Sequence, residues 1–157
     1  MKLSFKKSLI ALLCMGVFAS AFAQSAQLTK PEQLIKVRQS LFQTVGWNCT
    51  RIRQNLEGQY NKAEVIKAAE VIAALSNSAL DVLFAPGTET GKGWRETTVK
   101  PEFFSKPEHS AHLLSQFRKE ANALAELAHT GSAETVKTRF DNLVKTCKAC
   151  HDDFRNN

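Results

Sequence analysis

Residues 132–154 read SAETVKTRFDNLVKTCKACHDDF. Val136, Phe140, Leu143, Val144, Cys147 and Phe154 recur at helical spacing, which predicts a helix beginning near Ser132, after Gly131 has stopped the preceding run. Within that helix stands Cys147-Lys148-Ala149-Cys150-His151. Two thiols at this spacing with His next in line form the attachment signature of a c-type haem.

The spacing suits the chemistry. Each cysteine sulfur adds across one haem vinyl group, and residues three apart on a helix lie on roughly one face. His151 follows directly and can serve as the proximal iron ligand. Structural zinc needs four protein ligands, and the motif offers three; His109 and His112 have no cysteine pair beside them. A thioredoxin-like redox pair would follow a strand, whereas 136–144 reads helical. One turn beyond His151, Arg155 either lies along the imidazole or the haem edge or is a solvated terminal arginine.

Three more helical runs lie upstream. The first, about Pro31 to Leu56, carries Leu34, Val37, Leu41, Val45, Ile52 and Leu56 near one face and ends at Gly58. The second opens at Asn61 with Glu64 three residues on and runs through Val65, Ile66, Ala69, Ile72, Ala73 and Leu75 to about Leu83. The third opens at Ser105-Lys106-Pro107-Glu108, a capping-box pattern. It carries Leu113, Leu114, Phe117, Ala121, Leu124 and Leu127. Short turns join the first two runs and the last two, and a longer loop, 85–104, joins the middle pair. Strand signals and internal repeats are nearly absent. The expected fold is all-α, an antiparallel up-down four-helix bundle with a covalent haem c near its C-terminal end.

Residues 1–23 read as an export signal: Lys2, Lys6 and Lys7, then an apolar run from Leu9 to Phe22 too short to span a bilayer, then Ala21-Phe22-Ala23 as a small-x-small cleavage site. The remaining 24–157 make one domain, expected in the periplasm with no membrane anchor once the signal is removed. Losing the three signal lysines takes the net charge from +6 to +3. With no aromatic–basic stripe, that excludes a nucleic-acid footprint. Cys14 leaves with the signal and the haem takes two cysteines, so Cys49 is left to be buried or to pair between chains.

Six-coordinate electron-transfer cytochromes use Met or a second His on the far side of the iron. The two methionines, Met1 and Met15, both fall within the signal. His109, His112 and His129 remain, none central on an apolar stripe. The sixth position is therefore expected to be empty or blocked by an apolar side chain. Such an iron disfavours anions and water, which need polar partners, and accepts small neutral diatomics. The alternative is a low-spin, six-coordinate cytochrome with a His as second ligand.

These residues resemble the cytochrome c′ family, the class II cytochromes c. The resemblance rests on Cys147 to Arg155, on Lys30-Pro31-Glu32 with Lys36-Val37-Arg38-Gln39, on Phe84-Ala85-Pro86-Gly87-Thr88-Glu89, and on Lys100-Pro101-Glu102-Phe103-Phe104. It implies that His151 is the sole protein ligand to the iron and that Cys147 and Cys150 hold the thioethers. By the same resemblance Arg155 stands beside the proximal His, and Arg38 and Gln39 lie near the haem propionates. Phe42 caps the distal face, and Glu96 matches an acidic residue near the haem edge. Phe42 replaces the commoner aliphatic residue, and Leu80-Asp81-Val82 stands where the family often has Trp, with Trp94 nearby in the loop. The low-spin branch uses a first-helix Met, and none is here. The resemblance also implies a homodimer through the first two helices, with Val37, Leu41, Trp47 and Ile66 as contributors.

Three functions follow as expectations. The first is binding of nitric oxide or carbon monoxide, and the second is carriage of single electrons between periplasmic redox proteins. The third, a peroxidase, needs polar distal groups that an apolar Phe42 face does not supply, so the protein is expected not to be an enzyme.

Overall fold

The computed structural model describes residues 30–156; the export signal expected at 1–23 lies outside that range. Helix α1 spans Pro31–Glu57. Proline suits its first turn because the missing N–H would have had no intrahelical partner there. Helix α2, Lys62–Ser76, opens where Asn61 accepts the Glu64 N–H at 3.3 Å. Glu64 does not reach back to complete the box; its carboxylate takes Arg51 at 2.6 Å and Lys67 at 3.0 Å.

The second helix is shorter than its periodicity suggested. It ends at Ser76 rather than near Leu83, and a 3₁₀ turn over Leu80–Phe84 follows. The cause lies in Ser76-Asn77-Ser78. Ser76 Oγ and Asn77 Nδ2 both donate to the Ala73 carbonyl, and Ser78 Oγ donates to the Leu75 carbonyl, so side chains take over the final turn. Ala79 then turns left-handed at φ 54°.

A one-turn helix α3, Glu102–Ser105, precedes α4, Pro107–Thr130. The capping box expected at Ser105–Glu108 does not form: no side chain caps α4, and Ser105 Oγ donates back to the Glu102 carbonyl. Helix α5 spans Ala133–Phe154, with Ser132 accepting the Thr135 N–H at 3.3 Å.

α1 packs on α2, α2 on α4 and α4 on α5, giving the expected antiparallel four-helix bundle. Arg53, its guanidinium 6.0 Å from the Phe140 ring, reaches across from α1 to α5. Ile35, Ile52, Ile72, Leu124, Leu143 and Val136 are fully buried, each stabilising by roughly 1.5–3 kcal/mol. Exposed ion pairs such as Lys137–Asp141 contribute at most about 1 kcal/mol each. Apolar stripes therefore decide which helix faces meet. Val37, expected on the α1 stripe, is instead 52% exposed. Among the described residues no helix is long and apolar enough to cross a membrane.

The connection between α2 and α4 is held against α1 by two polar side chains. Arg38, 4% exposed, donates four hydrogen bonds: Nη1 to the Leu83 carbonyl at 2.9 Å and Thr88 Oγ1 at 3.0 Å, Nη2 to the Thr88 carbonyl at 3.0 Å and Thr97 Oγ1 at 2.9 Å. Its guanidinium also lies 4.7 Å from the Phe84 ring centre. Burial pulls it down to about 10, opposed by the nearby Glu89 carboxylate, so it stays charged at neutral pH. Beside it, Gln39 donates from Nε2 to the Arg95 carbonyl at 2.8 Å and accepts the Trp94 N–H at 2.7 Å on Oε1.

Gly93 makes this close approach possible: a Cβ there would fall 2.6 Å from Gln39 Oε1 and 2.7 Å from the Lys36 backbone nitrogen. Gly93→Ala is expected to cost about 2 kcal/mol. Arg38→Met strands several buried acceptors and is expected to cost about 3 kcal/mol. Urea unfolding midpoints check both, and limited proteolysis should show cleavage shifting into residues 88–97.

Candidate functional site

Cys147, Cys150 and His151 lie in the last two turns of α5. Among the described residues no cysteine is in a disulfide, and Cys147 and Cys150 are half-buried against the core, with Cys147 Sγ 3.5 Å from the Leu143 carbonyl. Burial raises the Cys147 thiol and pushes Cys150 up to about 11, where the charges of Cys147 and Asp153 add to the effect. His151 is held below the usual imidazole range, first by partial desolvation and then by the Arg155 charge, with Asp152 opposing. A neutral imidazole at pH 7 is the form that ligates iron.

His151 opens onto a pocket of about 590 Å³ with Lys100, Asp152, Arg155 and Asn156. Among the described residues no group of three or more His, Cys, Asp or Glu side chains could hold a bare metal ion. The donor set instead fits a thioether-held porphyrin: two thiols one turn apart on a helix, followed at once by a neutral imidazole.

Arg155 lies past the end of α5 and its N–H donates to the His151 carbonyl at 3.1 Å. The chain there is clasped by the loop. Lys100 N–H donates to the Phe154 carbonyl at 2.9 Å, Asn156 N–H donates to the Thr98 carbonyl at 2.8 Å, and Val99 and Arg155 form an antiparallel bridge. His109, on α4, pairs with Asp153 at 2.8 Å and its ring stands 5.3 Å from that of Phe154. His129 pairs with Glu70 at 2.9 Å, joining α4 to α2, and His112 is exposed on α4.

Phe42 is half-buried, 6.3 Å from Phe84 and 6.4 Å from Phe117, ring centre to ring centre. Phe84 stacks on Phe103 at 4.2 Å, and Phe103 meets Phe154 edge-on at 5.3 Å. Phe42 thus belongs to an aromatic run that leads to the helix end carrying His151. Periodicity gave no sign that these rings meet, because Phe84 and Phe103 lie outside the helical stripes; their only sequence signal was the family resemblance of the segments that hold them.

Arg38 and Gln39, expected near the propionates, lie on the face of α1 toward the loop, but most of their hydrogen-bonding capacity is spent there. The four N–H hydrogens on the Arg38 terminal nitrogens are taken by Leu83, Thr88 and Thr97. Nε–H is the donor left for a propionate. Glu96 is exposed and forms a backbone bridge with Lys92. Trp94 does not fill the place of the Trp often found after the second helix. It lies on the outer side of α1, 64% exposed, donating to Ser40 Oγ at 2.7 Å beneath the Lys36 ammonium.

Cys49 is half-buried on α1, packed against the core. Burial pushes its thiol up to about 12, with Cys147 adding to the rise and Arg53 opposing. It stays protonated at neutral pH, so it is neither a strong nucleophile nor a ready disulfide partner. Iodoacetamide at pH 8 is expected to leave Cys49 unmodified in the folded holoprotein and to alkylate it in denaturant. Cys49→Ala should retain covalent haem, which mass spectrometry reads directly.

The family described as Cytochrome C′ matches residues 33–155. The cytochrome c′ of Rhodocyclus tenuis is 53% identical over 127 residues, covering 80% of this chain and 96% of that protein. A solved cytochrome c′ with an unusual ligand-controlled dimer dissociation is 45% identical with a TM-score of 0.78, covering 82% of this chain and 98% of the other. A variant of the cytochrome c′ of Alcaligenes xylosoxidans, solved in the ferrous state with bound NO, is 28% identical with a TM-score of 0.72, covering 82% of this chain and 97% of the other. Motif, bundle and relatives agree, and the chain belongs to the cytochrome c′ family, whose members carry one covalent haem c.

Proposed function

We propose that this chain is a periplasmic, high-spin c-type cytochrome whose five-coordinate haem binds nitric oxide or carbon monoxide and can also carry single electrons to periplasmic redox proteins. It is a binder and carrier rather than an enzyme. Cys147 and Cys150 hold the haem and His151 ligates its iron. The haem supplies a metal that takes up a diatomic ligand or an electron.

One observation carries the reading: the described residues offer no ready second iron ligand. No methionine lies beyond Met15. His109 and His129 are hydrogen-bonded to Asp153 and Glu70, and His112 is exposed on α4. Phe42 and its aromatic neighbours supply an apolar face that favours neutral diatomics over water or anions. The nitric-oxide complex of the Alcaligenes relative supports the same reading.

The homodimer reading rests on the outer side of α1. Trp47 is 63% exposed and Val37 52%. With Ser40, Gln43, Thr44 and Trp94, Trp47 lines a depression of about 380 Å³. Leu41, expected on the dimer face, is 8% exposed and belongs to the core, while Ile66 is half-buried.

Nitric oxide added to reduced protein is expected to shift the Soret band, and an unchanged band overturns the gas-binding reading. Phe42→Ala should speed carbon monoxide association about tenfold, equivalent to lowering the barrier by about 1.4 kcal/mol, as read by stopped-flow. Trp47→Glu should yield monomer in sedimentation velocity at concentrations where the native chain is dimeric.

A further inference from the structure

We propose that Lys100 is a positioning residue for the iron ligand, acting through the clasp between segment 98–100 and the end of α5. The inference rests on His151 as the iron ligand, as argued above.

The last carbonyls of a helix have no intrahelical partner and carry the negative end of its dipole, and a lysine that bonds one of them satisfies both. Lys100 Nζ donates to the Asp152 carbonyl at 3.0 Å, one residue beyond His151. The same residue's N–H donates to the Phe154 carbonyl at 2.9 Å. Two bonds from one residue thus hold successive parts of the ligand-bearing turn. Asn156 N–H to the Thr98 carbonyl and the Val99–Arg155 bridge extend the clasp past the helix.

The Asp152 carboxylate is meanwhile paired with Lys148, and that of Asp153 with His109. The two acids beside His151 are therefore engaged by other side chains. Lys100 and Arg155 line the His151 pocket as two further positive charges. Pro101 follows at once, and its fixed φ limits how far Lys100 can drift. Lys100 therefore does two things at the ligand: it fixes the helix turn, and it adds positive charge to the pocket onto which His151 opens.

Positive charge disfavours the ferric state relative to the ferrous one. Fixing the turn would fix how the His151 imidazole is presented to a bound haem. Both effects can be read without any activity assay. Holoprotein carrying Lys100→Met is expected to show a shifted iron–histidine stretching band in the ferrous resonance Raman spectrum and a lowered midpoint potential. Its urea midpoint should stay close to native, because the core is untouched. Lys100→Arg, which restores a cationic donor, should return both spectrum and potential toward native.

A Met variant that loses stability while keeping the native band and potential overturns the proposal, leaving Lys100 a structural tether only. So does a Met variant that changes nothing. Should Lys100→Met fail to yield holoprotein, Lys100→Arg alone decides: a native band and potential support a cationic donor at this position, and a displaced band with displaced potential overturns it. Native protein without any iron–histidine band defeats the ligand assignment itself, which is a different failure.

Discussion

A single buried cation organises the irregular part of this protein. The Arg38 guanidinium sits 4% exposed between α1 and the connection that follows α2. It is tolerated there because every N–H on its two terminal nitrogens has an oxygen to meet and because Glu89 lies close enough to offset its charge. A desolvated charge without such partners costs several kcal/mol. The loop between α2 and α3 is thus determined by the needs of an α1 side chain. Gln39, next along the helix, repeats the logic at smaller scale by reading two loop backbone groups at residues 94–95.

From that anchor the loop continues to the other end of the site. Residues 98–100 pair with 154–156, so a segment fixed to α1 at Thr97 is fixed to the tip of α5 a few residues later. The fold uses an irregular strap to relate the first helix to the helix that bears the thiols and imidazole. The aromatic run from Phe42 through Phe84 and Phe103 to Phe154 traces the same path in apolar contacts. Polar and apolar links therefore converge on the turn that holds His151.

Helical sections of the chain were largely legible in advance. Periodicity located all four long helices, Asn61 caps the helix that it was expected to cap, and the last helix starts just after Ser132, near where it was expected to begin. The misreadings share one cause. At Ser76-Asn77-Ser78 and at Ser105, short polar side chains bond backbone groups that the periodic pattern assigned to a helix or its cap. Such competition is decided by local geometry that hydrophobic spacing does not record. Val37 and Leu41 were legible only as apolar: one is exposed and the other is core, and sequence spacing alone did not separate them.

The sequence by itself determined the attachment motif and the lack of any methionine after Met15, because both depend only on which residue types occur and where they stand along the chain. Tertiary structure decided where the remaining polar groups spend their bonds. Arg38 and Gln39 meet partners 45 to 59 residues away, Lys100 meets the Asp152 carbonyl 52 residues away, and Trp94 returns to the outside of α1. No local pattern encodes such meetings; they follow from how a loop of a given length must run once the four helices have packed.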